Sequence, residues 1–236
     1  MHHYSLLSAF RDAIRCISPS LCQICGEALV YDAQIVCLSC EEDLPVTSFH
    51  MQKDNPFTDK FFGRINLQAG ASYLYFTKEG IAQKLVHQLK YKGKTKLGTS
   101  LGQRYGHVLK ESSLFKNIDL IMPVPLHRKR LRSRGYNQSS LFAKGISETM
   151  DIPMDSNNVI RHRATKTQTR KTRLERFQNV DGAFRVLDPK QLEYKNVLLV
   201  DDILTTGATL EGCSKELLKI PGLQLSMATI GFAYFQ

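Results

Sequence analysis

Residues 196–210 read N-V-L-L-V-D-D-I-L-T-T-G-A-T-L. The four apolar residues at 197–200 have no polar interruption, as in a strand that is buried on both faces of a parallel sheet. Asp201 and Asp202 follow and are expected to end this strand at the carboxyl edge of the sheet, where open α/β folds bind ligands. The pattern therefore predicts an α/β fold with a mostly parallel sheet, flanked by helices, and a ligand site at that edge.

The turn after the acid pair has the composition of a phosphate site. It contains Thr205, Thr206, Gly207, Ala208 and Thr209. Hydroxyls and backbone N–H groups converge in such a turn, the glycine allows close approach, and the amino terminus of the following helix favours an anion. The alternative is that the acids are solvated and that one threonine only caps a helix. Acids beside a phosphate turn favour a phosphorylated sugar as the ligand.

This order of apolar run, acid pair and phosphate turn resembles the phosphoribosyl pyrophosphate (PRPP) motif of type I phosphoribosyltransferases. The resemblance implies that Asp201 and Asp202 hold the ribose 2- and 3-hydroxyls, and that residues 205–209 hold the 5-phosphate. Purine-salvage relatives have an acid three positions after the acid pair, suited to act on the base. Thr205 occupies that position here, and a hydroxyl is a poor general base at neutral pH. Purine salvage is therefore disfavoured, and no catalytic residue is assigned.

Four cysteines near the amino terminus form two C-x-x-C pairs separated by eleven residues: Cys22, Cys25, Cys37 and Cys40. Four thiolates at this spacing fit tetrahedral zinc, and such a closed site is structural because no position remains for water or substrate. Two disulfides are disfavoured in a reducing compartment, and a redox C-x-x-C normally occurs singly. Cys16 and Cys213 lie outside the pattern and are interpreted as small buried residues, with Cys16 as an extra ligand left open.

The length of 236 residues allows one α/β domain and a small appendage. We predict an N-terminal helix and zinc module over residues 1–46, a linker over 47–68 and a phosphoribosyltransferase-like domain over 69–236. No apolar run approaches the ~20 residues of a membrane span, and the amino terminus lacks the pattern of a secretory signal. We expect a cytoplasmic protein without membrane insertion.

The formal charge of +10 is concentrated in one region. Residues 127–176 contain thirteen Lys and Arg against four acids, a local excess of nine. Such a field attracts polyanions, but it does not distinguish pyrophosphate from a nucleic-acid backbone. Lys90, Lys92 and Lys94, near a predicted helix end outside this region, are interpreted as a solvated face.

The first part of the basic region follows a predicted strand at residues 118–122 and reads P-V-P-L-H-R-K-R-L-R-S-R-G-Y-N-Q over 123–138. A strand that breaks at two prolines into a basic loop favours a second phosphate site over a solubilising loop. The corresponding loop of type I phosphoribosyltransferases receives pyrophosphate. The candidate donors are Arg128, Arg130, Arg132 and Arg134.

The second part, residues 161–179, has almost no apolar residues and cannot pack as an element alone. A long polar loop inside a compact domain is usually a lid or binding loop. It would close over PRPP and exclude water, or contact DNA. The candidate residues are Arg161, Arg163, Lys166, Gln168, Arg170, Lys171, Arg173 and Arg176.

Four further segments follow the cysteine module in chain order: L-K-Y-K-G, P-V-P-L-H-R-x-R-x-R-S-R-G-Y-N-Q, T-K-T-Q-T-R-K-T-R-L-E-R-F-Q-N-V-D-G-A-F and L-L-V-D-D-I-L-T-T-G-A-T-L. Together they resemble the ComF family of amidophosphoribosyltransferase-like proteins. The resemblance implies a competence-associated bacterial protein that handles single-stranded DNA with other competence proteins, on a fold that binds PRPP with Mg²⁺.

Two functions of different classes fit these observations. One is Mg²⁺-dependent transfer of phosphoribose from PRPP to an unknown acceptor. The other is a non-catalytic nucleic-acid-binding competence factor whose PRPP site is regulatory or vestigial. Tyr136 and Phe177 lie among the arginines and would either stack on bases or belong to the core.

Overall fold

The computed structural model describes residues 19–30, 35–163 and 182–233, and the chain divides into two compact units, Met1–Leu44 and Pro45–Gln236. Helix α1 (Leu38–Glu42) begins directly after Cys37 in the first unit. Cys22, Val36 and Cys40 are buried together there, with Ile24 packed against them. Because two of these three buried side chains are cysteines, this buried cluster depends on the predicted metal ligands.

Four parallel strands form the main sheet of the second unit, in the order β1-β6-β5-β2. Their bounds are β1 (Ala69–Phe76), β2 (Leu120–Pro123), β5 (Asn196–Leu204) and β6 (Gln224–Ala233). Residues 197–200 of β5 are fully buried, as the uninterrupted apolar run predicts for an interior strand of a parallel sheet.

The acid pair does not end β5, which corrects the prediction from the sequence. The strand continues to Leu204 and stays paired with β6 over this length. Its other neighbour, β2, ends earlier, with Pro123 opposite Val200. The acids therefore lie beyond the end of β2, where one side of β5 has no partner among the described strands.

The sheet is accompanied by helices α2 (Pro56–Asp59), α3 (Ile81–Tyr91), α4 (Thr95–Glu111), α5 (Arg128–Arg134), α6 (Gln138–Met150) and α7 (Ala208–Leu217). Helices α4 and α6 cross at very short range. A Cβ atom on Gly102 would lie 2.1 Å from the carbonyl oxygen of Phe142, and one on Gly145 would lie 2.1 Å from that of Thr99. Only glycine fits at these two positions, because the atoms opposite are backbone and cannot rotate away.

Residues 47–68, predicted as a linker, pack against β1 within the second unit. Thr47 donates its backbone N–H to Tyr73, and Phe57 and Phe61 are almost completely buried. Asn55 caps α2 and donates its side-chain amide to the carbonyl of Gly70 at 3.0 Å. Polar side chains of this segment therefore form hydrogen bonds with backbone groups, including one in β1.

A separate antiparallel pair is formed by β3 (Val159–Arg161) and β4 (Phe184–Val186). The pairing of these two strands outside the main sheet was not predicted from the sequence. Most of the lid predicted over residues 161–179 lies outside the described residues, from residue 164 onward. Among the helices that the structure describes, none combines the length and apolar character of a membrane span.

Candidate functional site

A cavity of about 590 Å³ lies at the carboxyl ends of β2 and β5. The backbone of β2 turns away at residues 124–126, and the space is enclosed by the end of α3, by α5, by β3 and by the first turn of α7. The cavity is strongly charged. Its ionisable lining groups include Lys90, Lys129, Arg130, Arg134, Arg161, Asp201 and Asp202.

The two acids of the pair have different partners inside this cavity. Asp201 Oδ1 accepts the hydroxyl of Ser139 at 2.8 Å and the backbone N–H of Asp202 at 2.8 Å. Asp202 Oδ2 lies 2.7 Å from Lys90 Nζ. Burial, reinforced by the negative charge of Asp202, raises the pKa of Asp201 to about 7. Asp202 is thus paired with a cation, whereas Asp201 accepts hydrogen bonds from neutral donors.

Lys90 and Ser139 are site residues that the sequence analysis missed. Lys92 and Lys94 are exposed, as a solvated face predicts, but Lys90 points toward the acid pair. A lysine in the last turn of a helix gives no sequence signal for this contact. Ser139 follows Asn137, whose side chain caps α6, and this position at a helix start was the only sequence signal.

The predicted phosphate turn forms the start of α7. Gly207 is the N-cap residue with φ +82°, and Thr206 Oγ1 accepts the N–H of Ala208 at 3.5 Å. Thr209 lines the cavity, whereas Thr205 is half-buried in the turn that leads to it. A Cβ on Gly207 would lie 3.0 Å from the ring of Phe61, so the turn is packed from behind.

The basic segment was predicted as a loop, but it forms the short helix α5. His127 caps this helix by accepting the N–H of Lys129 at 3.2 Å, and Gly135 ends it with φ +82°. The long, unbranched basic side chains in R-K-R-L-R-S-R have good helix propensity, which the loop prediction from the prolines overlooked.

The helix separates the four arginines that were predicted as a group. Arg130 and Arg134 are spaced at i and i+4, so they share one helix face, and both are half-buried and line the cavity. Arg132 is exposed and outside the lining, and Arg128 is exposed at a neighbouring cavity. Two of the four candidate donors are therefore positioned for an anion in the site.

Arg161, a candidate residue of the predicted lid, belongs to strand β3 and is only 8% exposed. Its guanidinium lies 5.3 Å from the centre of the Phe184 ring and lines the cavity. Burial lowers the pKa of Arg161, and the charge of Arg130 lowers it further. Arg163 is exposed. The other six lid candidates lie outside the described residues, as does Phe177: Lys166, Gln168, Arg170, Lys171, Arg173 and Arg176.

Tyr136 joins the basic segment to α3. Its hydroxyl donates to the carbonyl of Leu89, and its side chain is half-buried at the cavity wall. The exposed aromatic ring at this site is instead Tyr91, which is 69% exposed. The guanidinium of Arg134 lies 5.6 Å from the centre of that ring.

The four predicted zinc ligands are brought together in the first unit. All four sulfur atoms lie within 4.8 Å of one another, and those of Cys25 and Cys37 are 3.7 Å apart. A tetrahedron with Zn–S bonds of ~2.3 Å has edges of ~3.8 Å, so the cluster fits one metal ion.

The electrostatics of the cluster favour thiolate at one ligand. Burial raises the pKa of Cys22, but backbone N–H donors outweigh burial and lower it to about 6. Two of these N–H groups, from Ile24 and Cys37, lie 3.4 Å from its sulfur. Cys213 is fully buried in α7, whereas Cys16 is outside the described residues.

Comparison with known proteins supports the assignment of the fold. A family model described as "Phosphoribosyl transferase domain" matches residues 137–234, which include the acid pair and the phosphate turn. The DNA utilization protein YhgH of Escherichia coli (strain K12) is 30% identical over 209 residues, covering 84% of each chain. Competence protein F of Haemophilus influenzae is 40% identical over 112 residues, 47% of this chain and about half (49%) of that protein. Competence protein ComFC of Bacillus subtilis is 24% identical over 211 residues, 89% of this chain and 76% of that protein.

The parallel sheet and the matched domain define a protein of the type I phosphoribosyltransferase superfamily. The chain belongs to the ComF family. In this chain a four-cysteine cluster precedes the phosphoribosyltransferase domain.

Proposed function

We propose that the protein binds PRPP with Mg²⁺ in the cavity at the carboxyl ends of β2 and β5. The main support is that one cavity contains both an acid pair and two arginines on a single helix face, Arg130 and Arg134. Carboxylates suit the ribose hydroxyls, and guanidinium groups suit the pyrophosphate. The start of α7 offers backbone N–H groups for the 5-phosphate.

Each group of the chain has a separate task in this proposal. Asp201 and Asp202 accept hydrogen bonds from the ribose 2- and 3-hydroxyls, and Lys90 leaves Asp202 to interact with a phosphoryl oxygen. Mg²⁺ prefers hard oxygen ligands, and the pyrophosphate oxygens together with the acid pair offer them. When bound, the ion neutralises charge on the departing pyrophosphate.

Transfer of phosphoribose to an acceptor is the enzymatic form of this proposal. As pyrophosphate leaves C1 of the ribose, Arg130 and Arg134 stabilise its growing negative charge. Thr205, three positions after the acid pair, offers no general base at neutral pH. Pyrophosphate release from PRPP, measured with amines and nucleobases as acceptors, distinguishes transfer from a regulatory PRPP site. No release with any acceptor contradicts the enzymatic form.

A second proposed function is binding of single-stranded DNA in the cytoplasm, alongside other competence proteins. It is supported by the names of two relatives, DNA utilization protein and Competence protein, and by the exposed cations around the cavity. Phosphate contacts release counterions, so this binding should weaken steeply as salt increases.

We also propose that the four-cysteine cluster binds one structural Zn²⁺. Four thiol ligands leave no position for water or substrate, so the ion would stabilise the fold of the first unit. Metal analysis should find one zinc per chain in the native protein and none in Cys25→Ser/Cys40→Ser. A folded, metal-free native protein with four free thiols would contradict the proposal.

The assignment of the pyrophosphate subsite is tested with matched arginine variants. Arg130→Ala/Arg134→Ala should lower the affinity for Mg²⁺-PRPP and for Mg²⁺-pyrophosphate by about 100-fold or more, since each of the two lost charged hydrogen bonds costs ~1.5 kcal/mol or more. Ribose 5-phosphate should bind as it does to the native protein. Arg132→Ala, on the exposed face of the same helix, is the control. Equal effects of the two variants in calorimetric titrations would rule out this subsite.

A further inference from the structure

Tyr91 is an exposed aromatic residue in a strongly basic part of the surface. It is the last residue of α3, and 69% of it is accessible to solvent. One neighbour is the guanidinium of Arg134, 5.6 Å from the ring centre, and another is the ring of His87, at 4.9 Å between centres. With both neighbours in place most of the residue is still accessible to solvent, so ring surface remains open for a planar ligand.

The two chain segments that meet at this ring contain no acids. Residues 80–110 include seven Lys and Arg without an Asp or Glu, and residues 120–147 include six without an acid. The contact between Tyr91 and Arg134 brings these segments together. The charges that these two segments bring to the ring are therefore positive. Asp201 and Asp202 line the cavity together with Tyr91, and Asp202 is paired there with Lys90.

The positive surface is larger than the cavity requires. Lys90, Lys129, Arg130 and Arg134 line the cavity. Lys92, Lys94, Lys96 and Arg132 are exposed and do not line it. A ligand with the size of PRPP would occupy the first group and leave the second without phosphate contacts. Cations that continue along the surface fit a polymeric anion instead.

We infer that Tyr91 stacks on an unpaired base of single-stranded DNA whose phosphates contact the exposed cations of residues 92–96 and of α5. The inference rests on the DNA-binding part of the proposed function. Aromatic rings beside a basic track are the usual means of binding single strands without sequence preference. A paired base cannot expose its face, so duplex DNA would gain only the charge contacts.

The test is fluorescence anisotropy of a labelled thymine oligonucleotide with the full chain. Tyr91→Ala should weaken binding roughly 5- to 100-fold, the usual range for loss of one stacked base. Tyr91→Phe keeps the ring and should bind as the native protein does. Tyr194→Ala is the matched control, because Tyr194 is 77% exposed and precedes the amino end of β5. On an oligonucleotide of abasic sites, native protein and Tyr91→Ala should bind equally.

Several outcomes would overturn the inference. These are equal binding by Tyr91→Ala and Tyr194→Ala, an equal loss on the abasic strand, or no binding of single strands by the native protein. A parallel titration of native protein with Mg²⁺-PRPP tests the principal proposal separately. Salt-sensitive DNA binding without an effect of the Tyr91 ring refutes the stacking alone, and absent PRPP binding refutes the PRPP site alone.

Discussion

Asp201 is held in an environment that disfavours its charge. Burial and the adjacent Asp202 raise the pKa of its carboxyl from an ordinary 3.8 to about 7 in the folded protein. The folded state therefore binds more protons than the unfolded state between these values. By linkage, this group's contribution to the free energy of unfolding decreases as the pH rises from about 4 to about 7, and it is fully unfavourable above that range.

We predict that Asp201→Asn stabilises the protein at pH 8 and changes little at pH 5. The asparagine oxygen can still accept from Ser139 and from the N–H of Asp202, while the buried negative charge is removed. The unfolding midpoint at pH 8 should increase by roughly 3 °C or more, since 1 kcal/mol corresponds to ~2–4 °C in a domain of this size. Calorimetry at the two pH values gives the comparison. An equal increase in the unfolding midpoint at both pH values, or a larger increase at pH 5, would contradict a raised pKa of Asp201.

Glu211 connects the phosphate turn to the segment behind it. This acid lies in the first turn of α7 and is only 5% exposed. It pairs with Arg64 and with Lys215, whose Nζ is 3.0 Å away. Phe61, three residues before Arg64, packs against Gly207. Residues from the predicted linker thus fix the start of the helix that would hold the 5-phosphate.

We predict that Arg64→Leu destabilises the protein by about 1 to 3 kcal/mol, because removal of one partner leaves a buried carboxylate under-compensated. Lys215 remains beside Glu211 and keeps the loss near the lower limit. Chemical denaturation measures the effect. In the double variant Arg64→Leu/Glu211→Gln the buried charge is gone, so part of the stability should return. If the loss of stability in the double variant equals the sum of the losses in Arg64→Leu and Glu211→Gln, the two side chains are not coupled.

At the scale of elements, the crossing of α4 and α6 depends on two glycines at backbone contacts. Gly102→Ala should destabilise the protein by about 1 to 3 kcal/mol through overpacking, and the free energy of unfolding measures the loss. Gly98→Ala on the same helix is the matched control. Its nearest neighbours would be the Cβ atom of Leu141 at 2.8 Å, which moves only with its backbone, and the terminal Cδ1 atom of Leu89 at 3.0 Å, which can rotate away. Both distances exceed the 2.1 Å to a carbonyl oxygen at Gly102, so the loss should be smaller. The prediction fails if Gly98→Ala is the more damaging substitution.

The elements that the sequence predicted well are those with a strong apolar pattern. The run at residues 197–200 identified β5, and the strand predicted at residues 118–122 corresponds to β2. Helix α5 has no buried residue, so no apolar pattern marked it. The length of β5 beyond the acids depends on its pairing with β6, a long-range contact without a local signal.

In the site, too, residues with a local sequence pattern were predicted, and residues placed by long-range contacts were not. The acid pair and the phosphate turn are contiguous in sequence, and their motif is specific. Lys90 and Ser139 reach Asp202 and Asp201 from helices 112 and 62 residues away. Their residue types are common on protein surfaces, and only the fold distinguishes them from solvated side chains.

At the scale of the whole molecule, the two compact units have separate sources of stability. The second unit buries its own apolar core around the sheet, whereas residues 19–30 and 35–44 of the first bury few apolar side chains besides cysteines. We predict that a zinc chelator increases amide hydrogen exchange at residues 19–30 and 35–44 and leaves β5 and β6 protected. Simultaneous loss of protection in both units would contradict this independence.

Calorimetric titration of the full chain with PRPP in the presence of Mg²⁺ measures whether the cavity binds PRPP. We predict saturable binding by the native protein with one site per chain. In Asp201→Ala/Asp202→Ala the affinity should fall by about 100-fold or more, since two charged hydrogen-bond acceptors are lost. Absence of binding by the native protein, or unchanged affinity in the double variant, would contradict binding of PRPP in this cavity.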